Sequence, residues 1–99
     1  MTEHSAAERA FASTFGKTLI NHRKRLGLTQ EQVALEADIN RNHYQLLEYG
    51  RADRKSNNPA NPRLNTLIKL ARVFDCSVAD LLSQALEEYD AVENLTKAS

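Results

Sequence analysis

TQEQVALEADINRNHYQLLEYG, residues 29–50, reads as two short helices joined by a tight reversal. Thr29 is a natural N-cap, because its hydroxyl can accept a backbone N–H of the following turn, and Gln32 stands where it can close a capping box. The helix begun there runs from about Gln30 to Ala37, with Val33, Ala34 and Ala37 on its inner face. Asp38 follows where the chain must reverse within about three or four residues. A left-handed conformation is the usual solution, and aspartate tolerates it, though less readily than glycine. Ile39 can plug the angle between the two helices and Asn40 is a good N-cap. The second helix then runs from Arg41 to about Tyr49, where Gly50 stops it; Tyr44 and Leu47 share its buried side.

Upstream, Phe11, Phe15, Leu19 with Ile20, and Leu26 recur at helical spacing across Ala6 to Leu26, and Gly27 ends that helix. Downstream, RADRKSNNPANPR, residues 51–63, mixes four basic residues with Asn, Ser and two prolines. It has neither a period nor a composition suited to packing and reads as a loop. Leu64, Leu67, Ile68, Leu70, Ala71 and Phe74 resume helical spacing. Ser77 then caps a fifth helix carrying Val78, Leu81, Leu82, Ala85, Leu86, Tyr89 and Val92, expected to be helical to about 92. No strand pattern or internal repeat interrupts this all-helical reading.

A chain of 99 residues, 41% hydrophobic and 26% charged, suits one domain. No apolar run approaches the roughly 20 residues of a membrane-spanning helix. The opening MTEHSAAERAF lacks the basic-then-apolar order of a signal peptide, so a soluble, cytoplasmic protein is expected. The single cysteine, Cys76, cannot form an internal disulfide, and His4, His22 and His43 are too scattered for zinc-ligand spacing. With no glycine-rich phosphate loop and no nucleophile beside a base, neither catalysis nor a cofactor or metal is expected. The net charge is zero, but the distribution is uneven. Residues 16–74 carry eleven basic against five acidic side chains, whereas residues 75–99 carry six acidic against one basic. A basic body with an acidic tail suits a nucleic-acid partner for the body; a solvated surface whose charges happen to segregate is the plainer alternative.

GLTQEQVALEADINRNHYQLLEYG resembles the helix-turn-helix of the phage repressor and Cro group, also called the Xre type. The likeness continues through PRLNTLIKLARVFDCSVADLL, so that about residues 12–83 are covered. The Thr-Gln-Glu-x-x-Ala run at Thr29 to Ala34 and the Glu-x-Gly at Glu48 to Gly50, correctly spaced, carry it. The resemblance implies an all-α, five-helix, lambda repressor-like DNA-binding domain at 12–83. An N-terminal extension at 1–11 continues the first helix, and an acidic C-terminal extension occupies 84–99. It also implies that the second motif helix enters the major groove of an operator in double-stranded DNA.

On that helix Arg41, Asn42 and Gln45 are the polar residues expected to face bases, since Arg can grip guanine and Asn or Gln adenine in two-point contacts. Leu46 departs from the usual polar residue there; it either touches a thymine methyl or packs on its neighbours. Gln30 matches a position that contacts phosphate or supports the reading helix. Asn40, His43, Arg51, Arg54 and Lys55 complete the expected backbone contacts, His43 alternatively being a plain exposed residue. In the resembling proteins the link after Glu-x-Gly is short, whereas here eleven residues separate Gly50 from Pro62. The insertion reads as a mobile arm along the DNA backbone or minor groove, or as a solvated linker.

Glu48 would be repelled by phosphates, so it is expected to point inward, and the resemblance implies an ion pair with Arg23 tying the first helix to the end of the third. His22 reads as a satisfied or half-exposed core histidine and Cys76 as an inert buried thiol. A homodimer is expected, through a tail stripe including Leu82, Leu86, Tyr89 and Val92, unless that stripe folds back on the first helix. The alternative function is a protein-interaction module whose acidic tail docks a partner.

Overall fold

The computed structural model describes residues 4–97, so the outermost residues of both expected extensions, 1–3 and 98–99, lie outside the described region. The described chain is five helices: α1 (Ala6–Arg25), α2 (Gln30–Ala37), α3 (Arg41–Tyr49), α4 (Leu64–Val73) and α5 (Val78–Lys97). Local side chains set most of the boundaries. At α1 the Glu8 N–H donates to Ser5 Oγ and the Ser5 N–H to Glu8 Oε1, a closed capping box. The Thr29–Gln32 box repeats it at α2, and the His43 N–H donates to Asn40 Oδ1 at α3. Asp38 sits at φ 55°, ψ 51°, the left-handed turn that the motif requires. Asp75 does the same between α4 and α5, at φ 54°.

The core gathers Phe15 and Leu19 of α1, Val33 of α2, Tyr44 and Leu47 of α3, Leu70 of α4 and Leu81 of α5, all essentially without solvent exposure. Two helix pairings organise it. First, α5 runs antiparallel along α1: the Thr18 hydroxyl donates to Gln84 Oε1 at 3.5 Å, His22 faces Asp80 at one end and Phe11 faces Tyr89 at the other. The tail thus packs along α1, burying Ala85 while leaving Leu86 and Leu95 exposed. It also stays helical to Lys97, beyond the expected end near 92.

Second, α1 crosses the end of α3 almost backbone to backbone. A methyl group on Gly16 would lie 2.4 Å from the Glu48 carbonyl oxygen and 2.9 Å from that of Leu47. One on Gly50, which also has φ +74°, would lie 3.1 Å from the Ala12 carbonyl oxygen.

The 51–63 segment corrects the expectation of an unpacked loop. Arg51 and Pro59 form an antiparallel bridge, the Ala52 N–H donates to Asn58 O, and the Ala60 N–H donates to Gly50 O. Asp53 accepts from the backbone N–H groups of Lys55 and Ser56 and from the Ser56 hydroxyl. Pro59 and Ala60 are buried, and Arg9 of α1 donates to Asn57 O at 2.6 Å. Polar residues folded this segment because its backbone groups satisfy one another and Asp53 closes the turn, which side-chain composition does not reveal.

Gly16→Ala should force the α1–α3 crossing apart, a strain of about 1–3 kcal/mol typical of overpacking. Its thermal midpoint by circular dichroism should drop by roughly 4–8 °C for each kcal/mol lost.

Candidate nucleic-acid interface

At about 100° per residue, Arg41, Gln45, Tyr49, Asn42 and Leu46 fall in that order within an arc of about 140° of α3. Arg41, Asn42 and Tyr49 are exposed, and Gln45 and Leu46 are half-buried. The opposite arc carries Tyr44, Leu47 and Glu48, all buried. His43 is exposed but lies beyond Leu46, off the centre of the polar arc.

What pins the inner arc is Glu48. Its carboxylate accepts from Arg23 Nε at 2.6 Å and Nη2 at 3.1 Å, from Gln30 Nε2 at 2.8 Å and from the Tyr44 hydroxyl at 2.5 Å. Arg23 Nη1 further donates to Leu28 O. Burial alone would push the Glu48 carboxyl up, but the hydrogen bonds from Arg23, Tyr44 and Gln30 outweigh it and hold the group below its ordinary value of 4.5. The same contacts raise Arg23, through its bond to Glu48, and Tyr44, chiefly through burial, so both remain protonated.

The chain of contacts continues outward. Gln30, whose amide nitrogen serves Glu48, offers its oxygen to Gln45 Nε2 at 3.0 Å. Gln45 Oε1 accepts from Arg54 Nη2 at 3.4 Å, and the same nitrogen lies 3.3 Å from Asn42 Oδ1. Gln30, Gln45, Asn42 and Arg54 are thus one connected set. Arg41 stands apart, 3.8 Å from Glu31, with both side chains largely in water, so that pair adds little stability.

Of the loop cations, Arg51 is half-buried and its Nη2 donates to Ser56 O, while Arg54 and Lys55 are exposed. Gln45, Leu46, Tyr49, Arg51 and Arg54 line a cavity of about 310 Å³ beside α3. Tyr49 is the exposed-face residue that sequence reading missed. Its position four residues after Gln45 was the available signal, masked by its role as the last residue before Gly50.

His22 and Cys76 lie elsewhere. The His22 ring stacks on Phe74 at 5.1 Å, and burial, then the Arg25 charge, lowers its pKa. Cys76 is half-buried, with its thiol pKa raised by burial and then by Asp80.

A short helix locked on one side, polar on the other and joined to its predecessor through a left-handed residue defines a helix-turn-helix DNA-binding domain. The chain belongs to the Cro/C1-type HTH DNA-binding domain family, whose model matches residues 19–84, two thirds of its length. No curated protein and no solved structure matches the chain. Among the described residues, no helix is long and apolar enough to cross a membrane.

Glu48→Gln removes the charge that compensates Arg23 and should destabilise the fold by about 3–5 kcal/mol at neutral pH. A carboxyl held below 4.5 when folded stabilises fully above about pH 4.5 and loses that contribution as the pH falls further. Thermal melts across pH should therefore show a steeper acid loss for the unsubstituted chain than for Glu48→Gln.

Proposed function

We propose that this protein is a sequence-specific transcriptional regulator in the cytoplasm that lays α3 in the major groove of a palindromic operator and represses by occupying it as a dimer. The observation that carries this reading is the division of α3, whose inner arc is locked by Glu48 while its outer arc offers Arg41, Asn42, Gln45 and Leu46 to an approaching duplex. Arg and the carboxamides supply donor and acceptor pairs for base edges, and Leu46 an apolar contact for a thymine methyl. Gln30, tied to both Glu48 and Gln45, supports the reading helix. Backbone N–H groups at the starts of α2 and α3, with Asn40, His43, Arg51 and Lys55, hold phosphates.

Two half-sites about 34 Å apart require two copies of α3 related by a two-fold axis. The surface favoured for pairing is the flank of α5 left uncovered by α1. Leu86 is 48% exposed and, with Tyr89, Phe11 and Pro59, borders an apolar groove of about 270 Å³. Leu82 and Val92 are half-buried and contribute at the edge of this surface.

Selection of bound duplexes from random DNA should return paired half-sites with centres about 10 base pairs, or a multiple, apart. Gel shifts should then show Arg41→Ala and Asn42→Ala each losing about 1–3 kcal/mol of discrimination without loss of fold. Absence of any specific shift at low salt would refute the proposal.

For the dimer, truncation after Ser83 would strip buried Ala85 from α1, so a point substitution is the cleaner test. Leu86→Glu should give a monomer in light scattering with an unchanged helical circular-dichroism spectrum. A persistent dimer would place the interface elsewhere.

A further inference from the structure

We infer that Arg54, delivered by the 51–63 loop onto the outer face of α3, reads a guanine in the operator, with Asn42 and Gln45 holding its guanidinium in place. This rests on the operator reading above and changes the division of labour within it.

The carboxamide of Gln45 lies at the centre of this arrangement. A glutamine that grips adenine must present both its oxygen and its nitrogen to the base edge. Here the nitrogen donates to Gln30 Oε1 at 3.0 Å and the oxygen accepts from Arg54 at 3.4 Å. Both ends are engaged before any base arrives, and Gln30 is itself anchored to the buried Glu48. Gln45 is therefore built as a support.

Arg54 has the opposite character. Among the described residues its hydrogen bonds run from Nη2 alone, to Asn42 Oδ1 and Gln45 Oε1. Arg54 is exposed, so the other donors of a planar fork with five N–H groups stay open to a partner. The acceptors that such a fork fits in the major groove are O6 and N7 of guanine. A phosphate would accept the same donors, but a cation serving only the backbone gains nothing from being drawn over two reading-face carboxamides.

The loop also lacks the freedom of a trailing phosphate arm. The Arg51–Pro59 bridge, the Asp53 turn and the Arg9 bond to Asn57 O present Arg54 on a formed scaffold, which lowers the ordering entropy charged to binding. Lys55, next in the chain, has no side-chain bond to Asn42 or Gln45 and fits a phosphate role better.

The test compares site selection and binding titrations of the full chain with those of Arg54→Ala and Arg54→Lys. Lysine keeps the charge and loses the fork, so it separates base reading from phosphate binding. Base reading predicts that both variants lose about ten- to a hundredfold of the guanine preference at one position in each half-site, with the other positions unchanged. Arg54→Lys should also keep the original salt dependence. The inference is overturned if Arg54→Ala weakens all sequences alike, lowers the salt slope by about one, and is rescued by lysine. If the unsubstituted chain binds no DNA at low salt, the operator reading itself fails and takes this inference with it.

Discussion

The carboxylate of Glu48 is the constraint on which the rest depends. It sits at the end of α3, 5% exposed, and is held by Arg23 from α1, Gln30 from α2 and Tyr44 from its own helix. A buried charge of this kind is costly unless geometry and hydrogen bonding compensate it fully. Here a two-pronged arginine contact and two neutral donors do so, and the consequence is positional: three helices share one anchor. The rotation of α3 about its axis is set from inside, so the residues on its other face have no choice of direction.

From that anchor the structure builds outward in steps, each polar group fixed by the one beneath it. Glu48 orients Gln30, Gln30 orients Gln45, and Gln45 with Asn42 receives Arg54 from the loop. Preorganisation of this sort leaves fewer side chains to be ordered when a partner binds. The segments at the margins of the family match, residues 4–18 and 85–97, are linked in the same way. They form the far ends of α1 and α5, which pack on each other, and Arg9 reaches from that pair to the loop. The ends of α1 and α5 and the 51–63 loop are thus connected to one another.

Much of the fold was legible because its signals are local. Thr29, Gln32, Asp38, Asn40 and Gly50 act within a few residues of themselves, through caps and left-handed turns, so their spacing announces the helices they bound. Arg41, Asn42, Gln45 and Leu46 fall on one arc for the same reason, since helical geometry places them there. Tyr49 shares that arc, but its place as the last helical residue before Gly50 masks this in the sequence. The order of the loop is not legible in sequence because it comes from backbone pairing and from the Asp53 turn, neither of which leaves a hydrophobic period.

By itself the sequence determined the all-helical architecture, the two motif helices and the turn between them, because capping and periodicity are short-range effects. It also marked Glu48 as an inward charge through its conflict with phosphates. Only the tertiary structure decided that α5 lies along α1, that Gly16 and Gly50 are the points where backbones meet, and that Arg54 stands over Asn42 and Gln45. Those arrangements join residues distant in the chain, and they follow from which apolar faces and polar groups can be satisfied together in three dimensions.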